Sequence, residues 1–153
     1  MTRKIAIDPI TRVEGHGKVT LHLDDKNRVK EARFHIVEFR GFESFVTGHP
    51  YWEAPMLVQR LCGICPISHH IAAGKAIDQI VGIDPETLPE TATKIRRLLH
   101  YAQVFQSHAT HFFYLASPDL LFGMDAPADK RNIMQVAVEN RELALKGIQM
   151  RKF

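Results

Sequence analysis

Apolar and polar side chains alternate along the first forty residues with the two-residue period of β-strands. The alternating apolar positions are Ile5, Ile7, Val19, Leu21 and Leu23. The run Asp24-Asp25-Lys26-Asn27 predicts a turn, and residues 29–39 then return as the second strand of a hairpin. Residues 8–17 between the first two strands are too rich in proline, glycine and charge for regular structure. We therefore expect a small sheet in residues 1–40 with one irregular segment inside it.

Beyond residue 40 the apolar positions follow helical spacing. Short helices are predicted over residues 42–48 and 51–61, and a further helix follows Cys65 and ends at Gly82. The helical part of the chain therefore starts well before its long helices.

A long helix is predicted from the capping-box sequence Thr87-Leu88-Pro89-Glu90 to about Ser117, before Pro118. Because its apolar residues cover more than one face, we expect this helix to be buried on several sides. Pro127 is expected to open a last helix, whose apolar stripe continues to the end of the chain without a stop signal.

The predominance of helix together with one hairpin predicts an α+β fold, mainly helical, with a small sheet at one side of a helical core. Three histidines of the long helix share one side, namely His100, His108 and His111. His100 is too many turns from His108 for one metal ion, so hydrogen-bonded core or interface histidines are the better interpretation.

Length and charge narrow the class of protein. The 153 residues suffice for the core of one ordinary domain, and the net charge of +3 has both signs interspersed. This distribution gives no electrostatic case for nucleic acid or a membrane surface as partner. No apolar run approaches the length of a membrane span, and the N-terminus lacks the hydrophobic core of a signal peptide. Two cysteines at C-x-x-C spacing fit a reducing compartment, so we expect a cytoplasmic protein.

The two cysteines lie in the run Arg60-Leu61-Cys62-Gly63-Ile64-Cys65-Pro66-Ile67-Ser68-His69-His70. A proline suits the first helical position, which puts Cys65 at the N-cap, where unpaired N–H groups and the helix dipole favour a thiolate. His69 lies one turn later on the same face, and Gly63 permits the tight turn that brings Cys62 beside Cys65. Arg60 adds a fixed positive charge, so two thiolates are expected to converge on one object.

Several kinds of site share this spacing. An inert buried pair of cysteines is a poor explanation for this spacing and its flanking residues. Structural zinc needs four ligands, and the chain has no second C-x-x-C or H-x-x-x-H. A thioredoxin-type redox pair remains possible from spacing alone, although such a motif should follow a strand and this one follows a predicted helix. The residues themselves indicate half of a thiolate-rich site for a soft metal.

Four motifs in register resemble the large subunit of the nickel–iron hydrogenases. They are Asp8-Pro9-Ile10-Thr11-Arg12-Val13-Glu14-Gly15-His16-Gly17, Arg40-Gly41-Phe42-Glu43, Arg60-x-Cys62-Gly63-x-Cys65-x-x-x-His69 and His111-Phe112-Phe113-Tyr114-Leu115-Ala116-Ser117-Pro118-Asp119. The residues around them most resemble the cytosolic NAD-reducing, or bidirectional, branch, with the coenzyme-F420-non-reducing archaeal enzymes close behind. The resemblance implies that the long helices form a bundle around a metal site.

The resemblance also implies a reversible heterolytic cleavage of H₂ at a nickel–iron centre whose iron carries CO and cyanide. Cys62 would be a terminal nickel ligand and Cys65 a bridge between the two metals. His69 would hydrogen-bond the bridging sulfur, and Glu14 would take the proton from a thiolate.

Two acidic residues receive further roles from the same resemblance. Glu43 matches a glutamate that helps to bind a magnesium ion away from the catalytic metals, and a carboxylate oxygen is the ligand type that Mg²⁺ prefers. Asp119 matches an aspartate near the open side of the metals. By itself, Glu43 would be an ordinary exposed carboxylate.

The second pair of thiolates, which the family carries in a C-terminal C-x-x-C, is not among these residues. We therefore expect residues 1–153 to be the N-terminal part of a larger large subunit, β-rich over 1–40 and helical over 41–153. Implied partners are a small subunit with an iron–sulfur cluster, diaphorase subunits that carry flavin and NAD, and H₂ and protons. Two alternatives of other classes are a metal-free structural or quinone-site homologue and a zinc-binding module.

Overall fold

The computed structural model describes residues 3–38, 41–150 and 152. It divides into two compact units at the boundary between residues 40 and 41. The first unit contains the strands and the second contains the helices, which makes the fold α+β and mainly helical, as the sequence predicts.

The first unit is a three-stranded antiparallel sheet in the order β1-β2-β3. Its strands are β1 (Arg3–Ile7), β2 (Gly17–Leu23) and β3 (Val29–Ile36). Ile5 lies opposite Leu21, and Val19 lies opposite Phe34, so the alternating apolar positions share one face. The predicted hairpin is confirmed up to Ile36, and the last residue of the predicted strand, Phe39, lies outside the described residues.

The turn between β2 and β3 is stabilised by Asp24. Its carboxylate accepts hydrogen bonds from the backbone N–H groups of Lys26 and Arg28, at 2.8 and 2.9 Å. The hydrogen bonds from Arg28 and Lys26 hold the pKa of the Asp24 carboxyl below its ordinary value. Asn27 has a positive φ of 57°, a conformation that asparagine tolerates in turns.

The segment between β1 and β2 is irregular, as predicted. The N–H of Ile10 donates to the carbonyl oxygen of Gly17 at 2.9 Å, which closes the segment into a loop at the edge of the sheet. Gly15 has a φ of +74°, and a Cβ there would lie 3.1 Å from the carboxylate of Glu38. Glycine suits this position because of its backbone freedom, whereas the exposed Glu38 side chain could shift to admit a Cβ.

The second unit begins with short helical pieces. Helix α1 (Phe42–Val46) is followed by a 3₁₀ turn (Tyr51–Glu53), helix α2 (Ala54–Val58) and another 3₁₀ turn (Gln59–Leu61). Helix α3 (Pro66–Ile80) follows the cysteine loop, and Gly82, with a φ of +77°, lies just beyond its end. These elements confirm the predicted helices over residues 42–82.

The long helix differs from the prediction at both ends. Helix α4 (Glu90–Thr110) has Pro89 at its N-cap and no side-chain cap, so the predicted capping box is wrong. The Thr87 hydroxyl instead donates to the carbonyl oxygen of Asp84 at 2.8 Å, because residues Pro85–Thr87 form their own 3₁₀ turn.

At its other end the helix passes Pro118 instead of stopping there. A π-helical segment (His111–Ala116) leads directly into helix α5 (Ser117–Phe122). Pro118 lies in the first turn of α5, where a missing N–H is tolerated. The Ser117 hydroxyl also donates to the carbonyl oxygen of Phe113 at 2.6 Å. The predicted end at Ser117 is therefore wrong, because the wider π segment accommodates the proline within a continuing helix.

The last helical region starts later than predicted and consists of two pieces. Residues 128–130 form a turn, and helix α6 (Ile133–Glu139) begins after Asn132, whose side chain accepts from the N–H of Gln135 at 3.0 Å. The predicted start at Pro127 is wrong because this asparagine supplies a better cap. Asn140 separates α6 from helix α7 (Arg141–Met150).

Helix α4 contacts α3 and α7, and most of its apolar side chains are exposed within the described residues, so its burial on several sides in the complete subunit stays a prediction. Of its residues only Gln103 is buried, while Leu98 is 69% exposed. Other exposed apolar residues of this region are Ile95, Leu99, Phe105 and Phe112. Three histidines of this region are exposed and are therefore not core residues, namely His100, His108 and His111. Their predicted position at an interface stays a prediction. Within the described ranges, every helix is too short or too polar to cross a bilayer.

Candidate metal centre

The cysteine loop lies between a 3₁₀ turn and helix α3. Cys62 follows the turn Gln59–Leu61, and Cys65 is the N-cap of α3 with Pro66 in the first helical turn, as the sequence predicts. The Cα atoms of Cys62 and Cys65 are 5.4 Å apart, and their sulfur atoms are bonded as a disulfide. Thiolate ligands require this pair in its reduced form.

His69 completes the cluster from the next turn of α3. One ligand atom from each of Cys62, Cys65 and His69 lies within 4.8 Å of the others, and all three residues are half-buried. This is the one group of three or more metal-ligating side chains found among residues 3–38, 41–150 and 152. The predicted convergence of these residues is confirmed by the geometry of α3.

The hydrogen bonds at the sulfur atoms differ from the expected pattern. The side chain of Cys65 makes no capping hydrogen bond to the first turn of α3. The sulfur of Cys62 accepts instead, from the backbone N–H of Cys65 at 3.2 Å. The tight turn at Gly63 thus stabilises the first sulfur through the backbone of the second cysteine.

Arg60 is exposed and lies beside the first cysteine. With Cys62, Gly63, Pro66 and Gln59 it lines an open cavity of about 460 Å³ at the surface. Arg60 and Cys62 thus line the same cavity, and a charge effect of Arg60 on the Cys62 sulfur stays a prediction.

Gln103 of α4 contacts the cysteine loop and was not found from the sequence. Its side chain is 2% exposed and bonds to the loop at both ends. The amide nitrogen donates to the carbonyl oxygen of Ile64 at 2.5 Å, and the amide oxygen accepts from the N–H of Ile67 at 3.3 Å. These partners are 39 and 36 residues away along the chain, so no local sequence pattern predicts the contact.

A second contact joins the same two helices away from the cysteines. Arg96 of α4 forms a bidentate pair with Asp78 of α3, with nitrogen–oxygen distances of 2.5 and 3.2 Å. Arg96 holds the pKa of the Asp78 carboxyl below its ordinary value through this hydrogen bond, and the bond raises the pKa of Arg96. Asp78 is 9% exposed and the Arg96 side chain is 30% exposed, so the pair joins the two helices at a partly covered position.

The remaining predicted site residues belong to other elements of the chain. Glu14 is an exposed residue of the irregular segment in the first unit, and Glu43 is exposed in the first turn of α1. Asp119 lies in the first turn of α5, where its carboxylate is 3.5 Å from a guanidinium nitrogen of Arg131. The structure therefore brings together Cys62, Cys65 and His69.

The donor set of the cluster suits nickel and iron. Thiolate sulfur is a soft ligand that binds such metals, and imidazole nitrogen either binds them or hydrogen-bonds a neighbouring ligand. The half-buried position leaves the two sulfurs accessible to a metal once they are reduced. Two cysteines and one histidine are fewer than the four ligands of a closed structural zinc site.

Comparison with known families gives matches over nearly the whole chain. A model described as HoxL-like matches residues 4–39, and the model of the nickel-dependent hydrogenases matches residues 40–145. The chain is 54% identical to the NAD-reducing hydrogenase HoxS subunit beta of Cupriavidus necator, over 100% of this chain and 32% of that relative. It is 44% identical to an F420-non-reducing hydrogenase chain of Methanothermobacter thermautotrophicus, over 97% of this chain and 31% of that relative.

Solved structures show the same relationship. An NAD⁺-reducing [NiFe]-hydrogenase in the H₂-reduced state matches with a TM-score of 0.78 and 64% identity, over 99% of this chain and 33% of that chain. The Ni-Fe-Se hydrogenase from D. vulgaris Hildenborough matches with a TM-score of 0.70 and 29% identity, over 99% of this chain and 32% of that chain. The chain thus spans about a third of the length of these relatives. The matching models, the identities and the cysteine cluster together show that this chain belongs to the nickel-dependent hydrogenase family.

Proposed function

We propose that the complete protein is the large, catalytic subunit of a nickel–iron hydrogenase, which interconverts H₂ with two protons and two electrons. The observation that carries the proposal is the cluster of Cys62, Cys65 and His69, in a chain whose family is nickel-dependent. The bound nickel–iron centre, with CO and cyanide on the iron, supplies the heterolytic cleavage of H₂.

The cysteine residues hold this centre in their reduced form. Cys62 would hold nickel through its thiolate, and Cys65 would contribute a thiolate to both nickel and iron. His69 hydrogen-bonds the Cys65 sulfur from the next turn of α3, which orients that sulfur and tunes its basicity. The proximity of the three side chains at the start of α3 supports these roles, with Cys62 before the helix, Cys65 at its N-cap and His69 inside it.

Glu14 is assigned the role of proton acceptor in this proposal. Its carboxylate accepts a proton at an oxygen atom and passes it on toward solvent, a task that suits its exposed position in the first unit. Asp119 is assigned to the open side of the centre, and its pairing with Arg131 keeps a charged carboxylate in a half-buried place. Glu43 contributes an oxygen ligand to a Mg²⁺ ion.

The electron acceptor is inferred from the names of the relatives. Two relatives described above are named as NAD-reducing, and one of them is 64% identical to this chain. We infer that electrons pass through an iron–sulfur small subunit to diaphorase subunits that reduce NAD in the cytoplasm. A coenzyme-F420-non-reducing hydrogenase is the second candidate, because relatives with that name are up to 49% identical over 97% of the chain.

Metal analysis tests the proposal on the complete subunit. We expect nickel and iron in stoichiometric amounts, together with infrared bands of metal-bound CO and cyanide and H₂-dependent dye reduction. Stoichiometric zinc without those bands would show that the cysteine cluster serves a structural site. Identification of the copurifying chains separates the NAD-reducing assignment from the F420-non-reducing one.

The proton role is tested by Glu14→Gln in the complete enzyme. The amide keeps the size of the side chain but accepts no proton, so turnover and H/D exchange should fall by orders of magnitude while the infrared bands persist. Activity within a few-fold of the wild-type enzyme would remove Glu14 from the proton path.

A further inference from the structure

The start of helix α3 has no cap from a neighbouring side chain. The first N–H groups of any helix lack partners within the helix. Cys65 occupies the N-cap, yet its side chain makes no capping hydrogen bond, and Pro66 has no N–H to satisfy. The N–H of Ile67 is therefore the first donor of the helix that needs a partner. It lies two residues after Cys65.

That partner comes from another helix. The amide oxygen of Gln103 accepts from Ile67 at 3.3 Å, and the amide nitrogen donates to the carbonyl oxygen of Ile64 at 2.5 Å. One planar side-chain amide thus contacts the backbone on both sides of Cys65. The Gln103 side chain is almost fully buried, so water does not compete for these bonds.

We propose that Gln103 is a positioning residue for the metal thiolates, acting as an N-cap supplied from α4. By bonding to the N–H of Ile67 at the helix start, it leaves the Cys65 sulfur without a capping role and therefore available as a ligand once the disulfide is reduced. By bonding to Ile64 and Ile67, it also fixes the backbone that directs this sulfur. The inference rests on the proposed function for its metal and adds a residue that lies in none of the four motifs.

A purely structural role for Gln103 predicts different experimental results. If the amide only joined α3 to α4, its loss would lower thermal stability but leave the bound centre unchanged. A positioning role alters the centre itself, because the direction of the Cys65 sulfur changes. The two roles separate in measurements made per bound nickel.

The test uses Gln103→Met in the complete enzyme with its partner subunits. Methionine keeps the length and the apolar stem of glutamine, has similar helix propensity and loses both hydrogen bonds. Gln79→Met is the matched control, because Gln79 lies exposed in the last turn of α3, away from the cysteines. The measurements are nickel and iron per subunit, turnover per nickel, infrared band positions and amide hydrogen exchange of residues 62–69.

For Gln103→Met we expect at least a fivefold loss of nickel occupancy or of turnover per nickel, shifted infrared bands and faster exchange in residues 62–69. The Gln79→Met enzyme should match the wild type in all four. Occupancy, turnover per nickel and band positions equal to those of the control would overturn the proposal, even if the melting temperature falls.

A second variant covers the case in which Gln103→Met does not accumulate as folded enzyme. Gln103→Glu keeps an oxygen acceptor for Ile67, but it loses the donor to Ile64 and places a carboxylate beside that carbonyl oxygen and the thiolates, so a loss per nickel at least as large is expected. Unchanged values per nickel in this variant would likewise overturn the proposal. If the wild-type enzyme itself holds no nickel, the proposed function fails, whereas the exchange comparison still decides whether Gln103 fixes the loop.

Discussion

Helix α3 is joined to α4 at both of its ends, and the two contacts differ in kind. Near its start, the neutral amide of Gln103 bonds to backbone groups of the cysteine loop. Near its end, Asp78 and Arg96 form an ion pair between two side chains. The first contact acts on an irregular backbone that presents ligands, while the second acts on a helix that is already regular.

This difference indicates how the fold separates chemistry from stability. A neutral amide places no net charge beside thiolates that must bind a metal, whereas an ion pair there would change their electrostatics. At the far end of α3, away from the ligands, charge is tolerated and the bidentate geometry fixes the helix orientation. Changes near the cysteines should therefore alter the metal centre, and changes near Asp78 should alter stability.

The largest expected effect is that of Cys65→Ser in the complete enzyme. A hydroxyl is a poor substitute for a thiolate shared by two metals, so no nickel–iron centre should assemble and H₂ turnover should disappear. His69→Ala should retain metal with altered activity, as expected for a residue that hydrogen-bonds a ligand. Metal analysis and dye reduction measure both. Equal and mild losses in the two variants would contradict the assigned roles.

Asp78→Asn should lower stability while nickel per folded subunit stays unchanged. Arg96, whose side chain is 30% exposed, would lose its carboxylate partner, so the melting temperature should drop by about two degrees at neutral pH. Because the folded pKa of Asp78 is lowered, its contribution is complete above the ordinary pKa of about 3.8 and is lost as pH falls through the folded value.

The measurement is the difference in melting temperature between wild type and Asp78→Asn as a function of pH. We expect a constant difference near neutral pH and a shrinking one in acid. A difference that grows in acid, or a loss of nickel per folded subunit, would break the proposed division between the two ends of α3.

Gly147→Ala sharpens the comparison with a contact that involves packing alone. A Cβ at Gly147 of α7 would lie 2.7 Å from the Cβ of Phe113 in the π segment, so the helices must move apart. Such overpacking costs about 1–3 kcal/mol, against a gain in helix propensity of about 1 kcal/mol. Gly74→Ala in α3 is the control, because nothing lies within 4 Å of its added Cβ and it should be neutral or stabilising. The measurement is the melting temperature of both variants. A higher melting temperature for Gly147→Ala than for the wild type would contradict the close packing of Gly147 against Phe113.

The smallest effect should come from an exposed ion pair on α4. Lys94 and Glu90 are 72% and 80% exposed, so Lys94→Ala should change the free energy of unfolding by at most about 0.5 kcal/mol. This variant sets the baseline for the Asp78 pair in the same assay. A loss as large as that of Asp78→Asn would mean that burial does not distinguish the two pairs.

Local patterns in the sequence determined much of the architecture. Alternation in residues 3–36 predicted the strands, and helical spacing predicted α1 to α4, because the period of the apolar side chains is set by neighbouring residues in each element. The sequence also predicted Cys65 as the N-cap of α3, since Pro66 directly follows it and marks the first turn of the helix. The convergence of Cys62, Cys65 and His69 followed from the same short range.

Only the tertiary structure decided what these elements do at their ends and between them. Pro118 was expected to stop a helix, but the π segment before it lets the helix continue, and Asn132 rather than Pro127 starts α6. Gln103 looks like any helical glutamine in the sequence. Its function as a cap depends on partners 36 and 39 residues away, which only the packing of α4 against the cysteine loop brings within hydrogen-bonding distance.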